Sequence, residues 1–292
     1  MPDDKVLQVA ILIWGCAFCA IAALCMFLSS NYDREKRRYL ILMESFASLL
    51  LLMDAMAHIF SGYPGVLGSV MVRISSFLVF LLSDVFLLCF HIYVCIYLFS
   101  EKERRTLKRV KAGYVIAAAE AAFVVISQFT HWYYYIDGDN YYHRAPLYIM
   151  SILLTVAGMF IDLTLLLQYK KRVSRKLLFS MLSCIVLPAV AAAVQAFRYG
   201  MSLIGFSVGI SMIIMFIVTM TELNQEMYQL ISREGKIKER LEIATILNKC
   251  IAELISGEDE DAAIPNLLRI ISGYFDGDRS YIVQIDEKRN VC

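Results

Sequence analysis

Residues 70–99 read VMVRISSFLVFLLSDVFLLCFHIYVCIYLF. This stretch is almost wholly apolar, and a helix needs only about 20 such residues to cross the hydrocarbon core of a bilayer. Three ionisable side chains interrupt it, namely Arg73, Asp84 and His91. At 100° per residue they fall within about 20° of one another around a helix. The stretch therefore predicts a membrane-spanning helix that carries one polar stripe.

Six other stretches meet the same criterion, and they place an all-α bundle of seven transmembrane helices in residues 1–220. They are residues 6–28, 39–60, 113–130, 146–168, 177–197 and 202–220. The composition agrees, because 59% of the 292 residues are hydrophobic and 19% are charged. In soluble domains about 45–50% of the residues are apolar and about 25% are charged. The net charge of +1 excludes a globally basic nucleic-acid-binding protein, so no nucleic-acid partner is expected.

Basic residues cluster in alternate loops, which predicts the orientation of the bundle through the positive-inside rule. The loops after the first, third and fifth spans hold Arg34, Lys36, Arg37, Arg38, Lys102, Arg104, Arg105, Lys108, Arg109, Lys111, Lys170, Lys171, Arg172, Arg175 and Lys176. The opposite ends offer only Lys5, Arg73, Arg144 and Arg198. We therefore expect a multi-pass protein of the cell membrane with its N-terminus outside and its C-terminus in the cytoplasm.

Ionisable residues inside spans are costly and suggest function. The candidates for a ligand-binding or relay site are Glu44, Asp54, His58, Arg73, Asp84, His91, Glu120 and Asp162. Asp54 and His58 are four residues apart and share a helix face, and we expect Asp54 to pair with Arg73. A structural polar network that fixes helix packing is the alternative. A proton or ion path lined by Asp84, Glu120 and Asp162 is a third interpretation.

The longest loop of the predicted outer face reads HWYYYIDGDNYYHR, residues 131–144. Its alternating pattern around an Asp-Gly turn predicts a short hairpin that acts as a lid. An aromatic belt at the membrane interface followed by a turn is the alternative. The candidate lid residues are Trp132, Tyr135, Asp137, Asn140, Tyr142 and Arg144. No metal site is expected, because the EF-hand spacing is absent from this loop. No cofactor is expected either.

Polar character begins at Thr221, and apolar residues then recur at heptad spacing from Leu223 to Ile255. This pattern predicts a signalling helix over residues 221–256 that pairs with a second copy of the chain. An amphipathic helix that packs on its own domain is the alternative. Further along, residues 262–275 read as a second helix after an acidic turn at 258–261, and residues 280–286 read as a strand. One strand makes no stable sheet, so the domain at 257–292 is expected to be truncated, or to be completed elsewhere.

Two segments carry a family resemblance. The tail LEIATILNKCIAEL, with IPNLLRIISGYFDGDRSYIVQID after it, resembles the start of a GAF domain. The membrane part, with its loop IDGDNYYHRAP, resembles bacterial seven-helix sensor regions that precede GGDEF/EAL or histidine kinase output domains. The resemblance implies a membrane receptor in cyclic di-GMP signalling whose ligand is a small molecule of unknown identity.

No GGDEF, EAL, P-loop, GxSxG or HExxH motif occurs in the chain. We therefore expect no catalytic activity from it, and an output cyclase, phosphodiesterase or kinase would lie beyond Cys292. The expected function is a sensor that relays an extracellular or intramembrane signal to such a module. The sensor half of a histidine kinase and a small-solute or ion transporter are the alternatives.

Overall fold

Seven helices in the described part of the chain are long and apolar enough to cross a membrane, as predicted. The computed structural model describes residues 3–29, 33–197, 202–256 and 260–275. In chain order the helices are α1 Asp3–Leu28, α2 Arg34–Phe60, α3 Gly65–Leu98, α4 Glu101–Thr106, α5 Lys108–Thr130, α6 Tyr148–Gln168, α7 Arg175–Phe197, α8 Leu203–Ser256 and α9 Glu260–Phe275. The short α4 and a 3₁₀ turn at Lys170–Arg172 lie in the basic loops.

Local sequence explains where the helices begin. The Asp33 side chain accepts a hydrogen bond from the Glu35 backbone N–H at 2.9 Å, which caps the start of α2. Ser100 and Glu103 form a capping box at the start of α4. Each cap supplies partners for backbone groups that the first helical turn leaves unpaired.

Helix α3 lies at the centre of the bundle, where it packs against α2, α5 and α6. Helix α1 packs on α2, and α6 also contacts α5 and α7. The first turns of α8 meet α7 where the Ser211 hydroxyl donates to the Ser183 carbonyl at 3.1 Å. They meet α1 where Phe216 forms an edge-to-face pair with Phe18. Seven helices thus share one apolar core.

The predicted hairpin is confirmed. Strands β1 (Tyr134–Ile136) and β2 (Tyr142–Arg144) pair antiparallel, and Tyr135 lies opposite His143. Asn140 adopts the left-handed conformation at a φ of 66°, and its amide donates to the Tyr63 carbonyl at 2.9 Å. This contact ties the hairpin to the α2–α3 loop. We call this the hairpin end of the bundle.

The other end carries the basic loops, and we call it the basic-loop end. Arg104 of α4 pairs with Glu35 of α2, with an Nη1–Oε1 distance of 2.9 Å. Arg172 pairs with Glu103 at 3.3 Å and donates to the Leu98 carbonyl at 2.7 Å. Hydrogen bonds from Ser100 lower the pKa of Glu103, so this carboxylate stays ionised. The loops are therefore joined to one another by charge-assisted contacts.

The chain divides into two compact units, Met1–Leu223 and Asn224–Cys292. In the second unit the structure describes the rest of α8 and the helix α9. The predicted helix at 262–275 is confirmed, although it begins two residues earlier, so part of the predicted acidic turn is helical. The predicted strand at 280–286 lies outside the described residues, and the GAF-like start stays a prediction.

Candidate functional site

A cavity of about 380 Å³ opens among the helices at the hairpin end. Cavities of roughly 300–1,000 Å³ are the usual size for small-molecule sites. Residues of α1, α2, α3, α5, α6, α7, the hairpin and the start of α8 line it. The polar lining consists of Lys5, Asp54, His58, Ser61, Ser76, Ser83, Asp84, Glu120, Tyr133, Tyr141, Tyr142, Arg144, Tyr148, Ser151, Thr155, Gln195 and Ser202.

Two carboxyl groups, Asp84 of α3 and Glu120 of α5, line the cavity, and we call them the acidic pair. They are only 8% and 3% exposed. The hydroxyl of Thr155 donates to Glu120 Oε1 at 2.9 Å. Among the described residues, Asp84 Oδ2 and Glu120 Oε2 have no hydrogen-bond partner, and neither carboxyl forms an ion pair. A buried acceptor without a donor costs free energy. Protonation of the acidic pair, or a hydrogen-bond donor from a bound molecule, would remove this cost.

Asp54 lies in the same cavity, but its partners differ from the predicted one. His58 Nε2 lies 3.8 Å from Asp54 Oδ1, and the Ser202 hydroxyl donates to Asp54 Oδ2. The shared face of Asp54 and His58 is thus confirmed. Arg73 is exposed and makes no ion pair with Asp54, so the expected pairing is wrong. Arg73 lies near the helix end, where a long side chain extends to the polar interface at little cost.

A second polar group lies further toward the basic-loop end. His91 Nδ1 is 2.5 Å from Asp162 Oδ1, and both side chains are buried. His91 Nε2 lies 3.1 Å from the Val110 carbonyl, which holds the other side of the ring. A small cleft of about 10 Å³ adjoins this pair, and Glu120 lines both this cleft and the main cavity. Glu120 therefore connects the two polar groups, because it lines both spaces.

Glycine makes the approach of α5 to His91 possible. A Cβ atom at Gly113 would overlap the His91 ring, and Gly158 of α6 lines the same small cleft. At the hairpin end, a Cβ at Gly205 would lie 2.7 Å from Asp54 Oδ2. Close packing around both polar groups thus depends on positions without side chains.

Two of the eight candidate residues line neither the cavity nor the small cleft. Glu44 of α2 is fully buried, and both of its carboxyl oxygens lack a partner among the described residues. It lines neither the cavity nor the small cleft. Arg73 is the second, and it lines neither space. The predicted stripe of α3 therefore faces the interior at Asp84 and His91 but not at Arg73.

Of the six candidate residues of the hairpin, two line the cavity and four do not. Tyr142 and Arg144 line the cavity, and an Arg144 guanidinium nitrogen donates to the Gln195 carbonyl at 3.1 Å. The other four candidates, Trp132, Tyr135, Asp137 and Asn140, do not line it. Asp137 instead accepts from the Tyr141 backbone N–H at 2.8 Å and contacts His143 Nε2 at 2.7 Å. These contacts lower the pKa of Asp137, with the backbone hydrogen bond as the largest cause.

Sequence reasoning missed several lining residues, above all Tyr133, Ser151 and Thr155. Tyr133 is buried, its hydroxyl has no partner in the described chain, and burial raises its pKa to about 12. Thr155 lies seven residues before Asp162, which places both on one face of α6. The seven-residue spacing from Asp162 is the sequence feature that could have identified Thr155 as a residue facing the interior. For Tyr133 no sequence signal separates it from the neighbouring tyrosines.

No group of three or more His, Cys, Asp or Glu side chains is arranged to hold a metal ion within the described ranges. Comparison with protein-family models, with curated proteins and with solved structures finds no match to this chain. The geometry of the cavity and of the helices around it is therefore the basis for a functional assignment.

Proposed function

We propose that this chain is the sensor region of a membrane receptor. In this proposal a small molecule binds in the cavity at the hairpin end, and the bound state changes the conformation of α8. The signal then passes to a cytoplasmic output module in cyclic di-GMP signalling. The chain itself catalyses no reaction in this scheme.

The observation that carries the proposal is that helix α8 belongs both to the cavity and to the polar tail. Ser202, just before α8, and Ile204 and Gly205 near its start line the cavity. The same helix continues to Ser256, well beyond the length that a membrane span requires. A molecule that fits one position of α8 better than another would shift the population of tail conformations.

A homodimer through the tail helix forms part of the proposal. The large apolar residues Leu230, Ile237 and Leu241 of the heptad seam are each more than half exposed in the single chain. Seam residues of this kind are buried when two parallel helices supercoil around each other. A second copy of the chain is therefore the proposed occupant of the seam, and a helix rotation is the proposed signal.

The distribution of basic loops supports the orientation that we propose. The ends of α2, α4, α5 and α7 that carry the arginine and lysine clusters would face the cytoplasm of a bacterial cell. The hairpin and the N-terminus would then face outward, so the cavity would be open to molecules from outside.

Filling the cavity without a ligand tests this proposal. Ala192→Trp places a bulky side chain in the cavity wall on α7, whereas Val190 on the same helix is 57% exposed, so Val190→Trp is the matched control. We expect Ala192→Trp to change hydrogen–deuterium exchange of residues 224–256 in the full chain in nanodiscs. The control should leave this exchange unchanged. Equal exchange in Ala192→Trp, in the control and in wild type would contradict the relay.

A transporter is the second candidate, and one observation favours it. Polar groups continue from the acidic pair through Glu120 to Asp162, His91 and the Val110 carbonyl near the basic-loop end. Ionisable residues in such a row mark proton relays in membrane proteins. Flux of a solute or proton into proteoliposomes that Asp84→Asn abolishes would favour transport. A histidine kinase output in place of a cyclic di-GMP module would leave the sensor proposal unchanged.

A further inference from the structure

The cavity has opposite electrical character at its two ends. The acidic pair, Asp84 and Glu120, lines its deeper part, and no basic side chain in the described chain pairs with either. The basic lining residues are Lys5, His58 and Arg144, and all three belong to elements at the hairpin end. Asp54 also lines the cavity at the hairpin end, with its Oδ1 3.8 Å from His58 Nε2. The mouth thus holds three basic side chains and one carboxyl, whereas the deeper part holds only the two carboxyls, so the interior is acidic and the mouth is basic on balance.

The position of α6 sets the distance between the two ends. Arg144 lies over the Tyr148 ring, with 4.6 Å from the guanidinium carbon to the ring centroid, and Thr155 donates to Glu120. Tyr148 and Thr155 are seven residues apart on α6, which corresponds to about 10 Å along the helix axis. A molecule with a few carbon atoms between two charged groups spans such a distance.

The unpartnered acceptors define what the deep end binds. Asp84 Oδ2 and Glu120 Oε2 are more than nine-tenths buried and lack donors within the described ranges. The phenol of Tyr133, which also lines the cavity, is likewise without a partner there. A primary ammonium group carries three N–H donors and a positive charge, so it satisfies both carboxylates at once. A quaternary ammonium group has no N–H donor and leaves these acceptors unpaired.

We propose that the cavity binds a small zwitterion of the amino-acid type. Its ammonium group lies between Asp84 and Glu120, and its carboxylate faces the basic mouth near Arg144. This ligand class matches both ends of the cavity, whereas a simple amine has no group for the basic side chains Lys5 and Arg144 of the mouth. The inference rests on the proposed function, since it names the chemistry of the molecule that the sensor would bind.

The test compares 4-aminobutanoate with its two halves, butylamine and butanoate, by calorimetric titration of the purified full chain in nanodiscs. We expect 4-aminobutanoate to bind wild type at least about ten-fold more tightly than either half, because each half lacks one charge-assisted contact. Equal or tighter binding of butylamine or of butanoate would overturn the proposal. This comparison of ligands uses the wild-type chain and needs no variant.

Variants then locate the ammonium group. Glu120→Gln should weaken the binding of 4-aminobutanoate about ten- to hundred-fold, and it should weaken the binding of butanoate much less. Asp84→Asn provides a second variant of the same pair if Glu120→Gln fails to fold. Glu44→Gln is the matched control, because Glu44 is another buried carboxyl that lies outside the cavity. An acidic-pair variant that binds like Glu44→Gln would overturn the assignment.

The two proposals fail in different ways. Tight binding of 4-aminobutanoate without a change in the exchange of residues 224–256 contradicts the relay and leaves the ligand class intact. A tail response to Ala192→Trp with no preference for the zwitterion contradicts the ligand class and leaves the relay intact.

Discussion

His91 of α3 and Asp162 of α6 face each other with 2.5 Å between Nδ1 and Oδ1, and both side chains are nearly inaccessible. The pair joins the central helix to a helix that also carries Thr155, the donor to Glu120. Removing one member of a buried pair leaves the other without a partner, and such a loss costs more than replacing both.

The first prediction concerns this pair. Asp162→Leu should lower the free energy of unfolding by about 1–3 kcal/mol, because it leaves His91 Nδ1 unsatisfied. The double variant His91→Leu with Asp162→Leu should lose less than the sum of the two single variants. Unfolding of the purified chain by denaturant in mixed micelles measures both values. Strict additivity would show that the two side chains do not interact.

The second prediction concerns Gly113. A Cβ atom there would overlap the His91 ring, so Gly113→Ala should destabilise the bundle by about 1–3 kcal/mol. Gly235 is the control, because it lies in α8 with open space around it. Gly235→Ala should be neutral or slightly stabilising, since alanine favours the helix. Thermal melts of the two variants check the contrast, and equal shifts would contradict the close approach of α5 to His91.

The third prediction concerns the pH dependence of the hairpin. Hydrogen bonds lower the pKa of Asp137, so its contribution to hairpin stability is fully present above the ordinary aspartate pKa of about 4. The contribution is lost as the pH falls through the lower value of the folded state. Amide exchange of Asp139 and Tyr141, which donate to Asp137, should therefore accelerate in strong acid. In Asp137→Ala this acid-dependent step should disappear, and its persistence would assign the step to another group.

The fourth prediction concerns orientation. Gly138 in the hairpin turn and Gly235 in α8 both have open space for a side chain. Gly138→Cys should react with a membrane-impermeant maleimide on intact cells. Gly235→Cys should react only after the cells are permeabilised. Wild type provides the background from its own cysteines. The opposite labelling pattern would reverse the proposed topology.

The fifth prediction concerns the proposed dimer. With Cys250 replaced by serine, Leu241→Cys should form an intermolecular disulfide under mild oxidation in membranes. Glu239→Cys is the matched control, because two residues along a helix turn the side chain by about 200° to the opposite face. Equal cross-linking at both positions would contradict a pairing through the heptad seam.

The sequence alone determined the seven long apolar helices, the hairpin and the helical tail. Each depends on local patterns: apolar runs of membrane length, alternation around Asp137-Gly138, and spacing within one helix. The face shared by Asp54 and His58 was predictable for the same reason, since four residues bring two side chains together on any helix.

Only the tertiary structure decided which polar residues meet. Asp54 contacts Ser202, almost 150 residues away, rather than Arg73, and Glu120 meets Thr155 of α6. Glu44 and Glu120 are both acids within an apolar stretch of sequence, yet of the two only Glu120 lines the cavity. Helix periodicity gives the direction of each side chain around its own axis. The neighbour that it meets depends on how the helices pack, and that packing is set by contacts between residues distant in the chain.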